Sequence, residues 1–189
     1  MKYLMLTGLI VLCCIQWFMP LNMIQANNTI LREGKVFRFE TEPVDPSMPF
    51  VGKYVYLQYE ISHYSAVSKD SLKYGEEIFV LLENDTAGFA KIAAITRTRP
   101  SPGSNFVKAT SEYSYRKADT LFVNINFPFN RFYMDEYKAP AAETEYRRAN
   151  LDSARKAFAM VSVLNGETVI KDIIIDGRPL KDWVKQQQH

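Results

Sequence analysis

Arg131, Asp135, Glu136, Lys138 and Glu143 gather more acid–base capacity than any other short stretch of this chain. Two carboxylates beside a guanidinium can divide the roles of acid and base when burial pushes their pKa values apart. A carboxylate pair such as Glu136 and Glu143, standing on either side of a glycosidic bond, is the arrangement that hydrolyses it. The plainer reading is an ion-pair network fixing a strand-to-helix connection. In that reading Glu143 sits near a helix start, where negative charge is favoured.

Other catalytic patterns are missing. The only histidines are His63 and His189, and no G-x-S-x-G nucleophile turn accompanies them. A Walker loop, a dinucleotide fingerprint and a paired-histidine zinc motif are likewise absent from the sequence. Cys13 and Cys14 are adjacent and lie in the first apolar segment, which removes a disulfide framework and any cysteine zinc site. The sequence therefore points to no metal and no cofactor. Basic residues number 23 against 21 acidic, a net charge of +2, which gives no electrostatic footprint for nucleic acid. The enzyme question leans towards no.

Whatever chemistry exists must be carried by elements that the hydropathy pattern defines. No charged residue falls between Lys2 and Arg32, and Tyr3 to Leu21 is almost wholly apolar. A run of about 20 apolar residues is the length of a transmembrane helix, so residues 1–24 are expected to form an uncleaved anchor. Lys2 and the amino terminus favour a cytoplasmic start. Gln16 falls near the middle, where an amide needs a partner, either its own backbone or another membrane helix. Residues 25–34 follow as a tether, and 35–189 as one extracytoplasmic domain.

Alternation marks the strands of that domain. Lys35 to Glu40 sets Phe37 and Phe39 opposite Val36 and Arg38. Tyr54 to Ile61 sets Val55, Leu57, Tyr59 and Ile61 on the core face, with Tyr54, Tyr56, Gln58 and Glu60 on the other. Glu77–Leu82 and Phe89–Thr96 form a hairpin through Asn84-Asp85 and Gly88, and Arg99 to Gly103 is a loop closed by two prolines. Phe106–Tyr115 and Thr120–Phe127 come next. Asn165-Gly166 between Phe158–Leu164 and Thr168–Ile175 is a strong hairpin signal. One helix follows Pro140, over Ala141 to Lys156, with an apolar stripe of Ala142, Tyr146 and Ala149. The fold class is a β-rich α+β chain. An N-terminal transmembrane helix leads into one antiparallel, barrel-like domain with one main helix.

The segment Pro43-Val44-Asp45-Pro46, then Gly52-Lys53-Tyr54-Val55-Tyr56-Leu57-Gln58-Tyr59, resembles the GDYXXLXY family. Asp45, Gly52, Tyr54, Leu57 and Tyr59 stand at the motif positions, and Lys53 stands where the family has Asp. The likeness extends to Asn130–Lys138 with Glu143, which is similar to the family's Arg-aromatic-aromatic-x-x-Glu-x-Lys block. It continues through Val169–Leu180, similar to its last hairpin. The resemblance implies a bacterial membrane-anchored protein of unassigned activity, associated with a multi-pass membrane protein. Lys53 implies that a carboxylate at that position is not essential here.

Two functions fit these readings. One is an interaction module held at the inner membrane through Tyr3 to Leu21, binding another membrane or envelope component. The other is a cell-surface hydrolase or carbohydrate-active domain built on Glu136 and Glu143. A third use of the same surface is ligand binding by exposed aromatics such as Tyr54 and Tyr56.

Overall fold

A computed structural model describes residues 2–42, 54–67, 71–133, 142, 144–146, 148–149, 157–180 and 182, the side chains of 2–7, 10, 14 and 67 excepted. The uncharged N-terminal stretch forms helix α1, Lys2–Glu33, with Pro20 inside it and Arg32 in its last turn. The tether expected over 25–34 is thus the end of the same helix followed by Gly34. Among the described residues it is there that α1 meets the rest of the protein: Ile30 is buried, and the Gly34 amide donates to the Ile30 carbonyl at 2.9 Å. A Cβ at Gly34 would press on that carbonyl and on the backbone of Val163, so only glycine lets the helix end this close to the sheet.

Upstream, α1 stands clear of the domain. Leu9, Val11, Leu12, Ile15, Phe18 and Leu21 are exposed, as are Trp17 (71%) and Met19 (68%). The expected transmembrane character of Tyr3–Leu21 requires a correction. Among the described residues, no helix is long and apolar enough to cross a membrane.

Beyond Gly34 the chain is β-rich. The strands are β1 (Lys35–Glu42), β2 (Tyr54–Tyr56), β3 (Gln58–Tyr59), β4 (His63–Val67), β5 (Glu77–Asn84) and β6 (Ala90–Thr96). They continue with β7 (Phe106–Lys117), β8 (Thr120–Asn126), β9 (Arg131–Tyr133), β10 (Ala157–Leu164), β11 (Glu167–Ile175) and β12 (Arg178–Pro179). Two five-stranded antiparallel sheets, ordered β12-β11-β10-β1-β3 and β4-β8-β7-β5-β6, are joined by the ribbon β2–β9. Together they make a near-closed antiparallel barrel. Its seam is one parallel bridge, Val107 to Gly166, with the Lys108 amide donating to the Gly166 carbonyl at 3.0 Å.

Period-2 alternation sorts the side chains. Phe37 and Phe39 of β1, Ile78 and Val80 of β5, and Val161 and Ile173 of β10 and β11 face one core. Turn chemistry closes the hairpins. The Asp85 carboxylate accepts the amides of Ala87 and Phe89 at 2.9 and 2.8 Å, which holds the β5–β6 turn. Asn165 and Gly166 take φ of 52° and 93°, the left-handed pair that a tight hairpin needs. The segment after Pro140 is helical at Ala142, Thr144–Tyr146 and Arg148–Ala149, and Ala142, Tyr146 and Ala149 are all buried. Glu145 is buried as well, which the stripe did not anticipate.

Candidate functional site

The motif strand forms two short pieces rather than one. β2 ends at Tyr56, the Leu57 amide donates to the Asn130 carbonyl at 2.9 Å, and β3 gives way to a 3-10 turn at Glu60–Ser62. The break leaves the alternation intact. Val55, Leu57 and Tyr59 are buried, and Tyr54 and Tyr56 lie on the opposite face. Leu57 and Tyr59 therefore serve the core. Tyr59 packs edge-on to Phe39 at 5.6 Å and lies 5.1 Å from the Phe129 ring, while its hydroxyl donates to the Phe129 carbonyl at 2.8 Å.

The outer face of the same ribbon collects Tyr54, Tyr56, Arg131 and Tyr133, because the register pairs Tyr54 with Tyr133 and Tyr56 with Arg131. The Arg131 guanidinium sits 5.2 Å over the Tyr54 ring, and the Tyr54 and Tyr133 rings are 5.5 Å apart. A hydrogen bond to Tyr133, reinforced by the neighbouring phenols, raises the Arg131 pKa further. Arg131 is a permanent cation stacked on an aromatic face, a role that suits recognition better than proton transfer.

Asp135, the first carboxylate of the expected cluster, lies outside the described residues. Glu136, Lys138 and Glu143 lie outside the described residues, as do Asp45 and Gly52 of the motif. Among the described residues no group of three or more histidine, cysteine, aspartate or glutamate side chains could hold a metal ion. His63 opens β4 with an exposed side chain, its Nε2 3.7 Å from the Glu42 carboxylate. Nearby, burial first and then the charges of Glu40 and Glu42 raise the pKa of Glu60.

A second surface has no counterpart in the sequence reading. On the outer face of β4-β8-β7 the register sets His63 opposite Asn124 and Ser65 opposite Phe122. On the other side of β8 it sets Tyr113 opposite Asn124 and Tyr115 opposite Phe122. Tyr115 and Phe122 stack with centroids 4.9 Å apart and planes 8° from parallel, and Tyr113 adjoins them at 5.7 Å. These residues line an open cavity of about 490 Å³. The only available signal was Tyr113-x-Tyr115, a period-2 aromatic pair. Its partner Phe122 could not be assigned without the register.

Comparison with known proteins gives one positive finding. The family model described as GDYXXLXY protein matches residues 16–173. No curated protein and no solved structure matches the chain.

Proposed function

The chain belongs to the GDYXXLXY protein family, and from that membership we propose that it is an interaction module whose helix α1 seats against a membrane or envelope component. The supporting observation is the exposure of α1. Leu9, Leu12, Ile15, Trp17, Phe18 and Met19 point in every direction around the helix, and all are exposed. A helix apolar on all sides is normally buried in something larger. Among the described residues, the β domain covers its last turn, around Ile30.

The partner of this reading is a multi-pass membrane protein. Its apolar helices would supply the burial that α1 does not find in its own chain. Gln16 then marks the contact, because an amide on an otherwise apolar helix is satisfied by a hydrogen bond across to a partner, worth about 0.6–2 kcal/mol. The location that goes with this reading is the bacterial inner membrane, with the β domain on its extracytoplasmic side.

The test is cross-linking in native membranes with a photoreactive residue at Trp17, followed by mild solubilisation and recovery of the full chain. One discrete adduct with a multi-pass protein is expected, with its yield lowered several-fold by Gln16→Leu. Recovery of the protein alone, or an adduct yield indifferent to Gln16→Leu, overturns the reading.

A further inference from the structure

We propose that the outer face of β4-β8-β7 is a binding site for a neutral oligosaccharide, with a pyranose ring stacked on the aromatic step at Tyr115. The shape comes first. Two rings stacked 8° from parallel at 4.9 Å, with Tyr113 tilted against Tyr115 at 5.7 Å, make an aromatic step on the sheet. Tyr113 is 63% exposed and Tyr115 48%. Contiguous exposed aromatic surface on a folded domain usually marks an interaction site. These rings are held by antiparallel strands, so little side-chain freedom is lost when a ligand settles on them.

The polar groups narrow the ligand. Asn124 donates one amide N–H to the Glu112 carboxylate at 2.9 Å. That bond fixes the amide orientation and leaves a second N–H and the carbonyl oxygen for a ligand. His63 and Ser65 occupy the same two cross-strand rows, so imidazole and hydroxyl groups flank the rings. Beside the His63 imidazole, the described residues lining the cavity are Tyr64, Ser65, Tyr113, Tyr115, Phe122, Val123 and Asn124, none of them acidic or basic. Among the described residues no ammonium or guanidinium lines it to meet a phosphate or carboxylate. A pyranose ring combines an apolar C–H face with a rim of hydroxyl donors and acceptors. That combination matches an aromatic step bordered by an amide, an imidazole and a hydroxyl. The cavity, about 490 Å³, lies within the roughly 300–1,000 Å³ of small-molecule sites.

This site is separate from α1 and independent of what α1 binds. The experiment is isothermal titration of the full chain, kept in a detergent without a sugar headgroup, with chitotriose, cellotriose, maltotriose and trigalacturonate. Saturable binding of at least one of the three neutral sugars is expected, with Kd about 0.1–1 mM. Tyr115→Ala should weaken it at least about tenfold, Asn124→Ala several-fold, and Tyr115→Phe, which keeps the stacking face, less than about twofold. If Tyr115→Ala fails to fold, Tyr113→Ala at the exposed end of the step reads the same loss. The proposal is overturned if none of the neutral sugars binds, if trigalacturonate binds in preference, or if binding survives removal of the rings unchanged.

Discussion

The Tyr59 hydroxyl donates to the Phe129 carbonyl at 2.8 Å across 70 residues of sequence, inside an aromatic cluster with Phe39 and Phe127. The bond gives the last tyrosine of the family motif a physical role. It ties β3 to the Phe127–Phe129 turn that leads into β9, and so holds the ribbon that bridges the two sheets. Tyr59→Phe keeps the ring packing and leaves a buried carbonyl without this donor. The expected loss is about 1–2 kcal/mol of unfolding free energy. For a chain of this size that lowers Tm by roughly 2–8 °C, read by thermal or urea unfolding. A Tyr59→Phe protein as stable as the parent would show that the bond is incidental.

The same phenol gives the fold an alkaline limit. Burial first, and the neighbouring Tyr146 second, raise the Tyr59 pKa well above its ordinary value of 10.0. The folded chain therefore holds this proton where the unfolded chain releases it. The contribution is complete below about pH 10 and is lost as pH rises towards the folded pKa. Urea titrations between pH 8 and pH 11.5 should show stability level at first and then falling. Tyr59→Phe should flatten the part of that fall that belongs to this group. An unaltered slope in the variant would assign the alkaline loss to other residues.

Glu60 makes the opposite case, a carboxylate the fold holds at a disadvantage. Burial and the charges of Glu40 and Glu42 raise its pKa from 4.5. A raised carboxylate pKa means that the folded state resists ionisation, so stability is lost as pH rises through the folded value. Glu60→Gln removes that loss. The group is largely solvated, so the gain at pH 7 is small, within about 0.5 kcal/mol. It should shrink in 1 M salt and vanish below pH 4, where the parent side chain is neutral. A variant less stable than the parent at pH 7 would mean that the ionised carboxylate has a favourable partner.

Local chemistry was legible in the sequence wherever it was decided within a few residues. Asn165-Gly166 specifies its hairpin because both residues tolerate the left-handed backbone, and strict alternation put Val55, Leu57 and Tyr59 on one face. What stayed hidden was decided by residues far apart in the chain. The continuity of β2 and β3 failed at Leu57 because its amide is claimed by Asn130 from another part of the chain. Helix α1 continues to Glu33, through the expected tether, because nothing in 25–33 breaks a helix. Of the polar cluster Arg131, Asp135, Glu136, Lys138 and Glu143, Arg131 falls among the described residues, where it packs with tyrosines.

Gly166 carries two demands at once, and a comparison with Gly177 separates them. Both glycines are left-handed, at φ of 93° and 78°. Around Gly177 an added Cβ meets nothing within 4 Å, but at Gly166 it would lie 2.6 Å from the edge of the Phe106 ring. That ring is buried and packed edge-on against Phe79 at 5.8 Å, so it has little room to withdraw. Gly177→Ala should therefore cost only the backbone term, about 1–2 kcal/mol. Gly166→Ala adds overpacking of about 1–3 kcal/mol and strains the Lys108–Gly166 bond that closes the barrel. Hydrogen exchange should consequently quicken at the Lys108 amide in Gly166→Ala and stay unchanged there in Gly177→Ala. Equal destabilisation by the two variants would mean that Phe106 yields freely, and that the contact between β7 and the β10–β11 turn is not what holds the two sheets together.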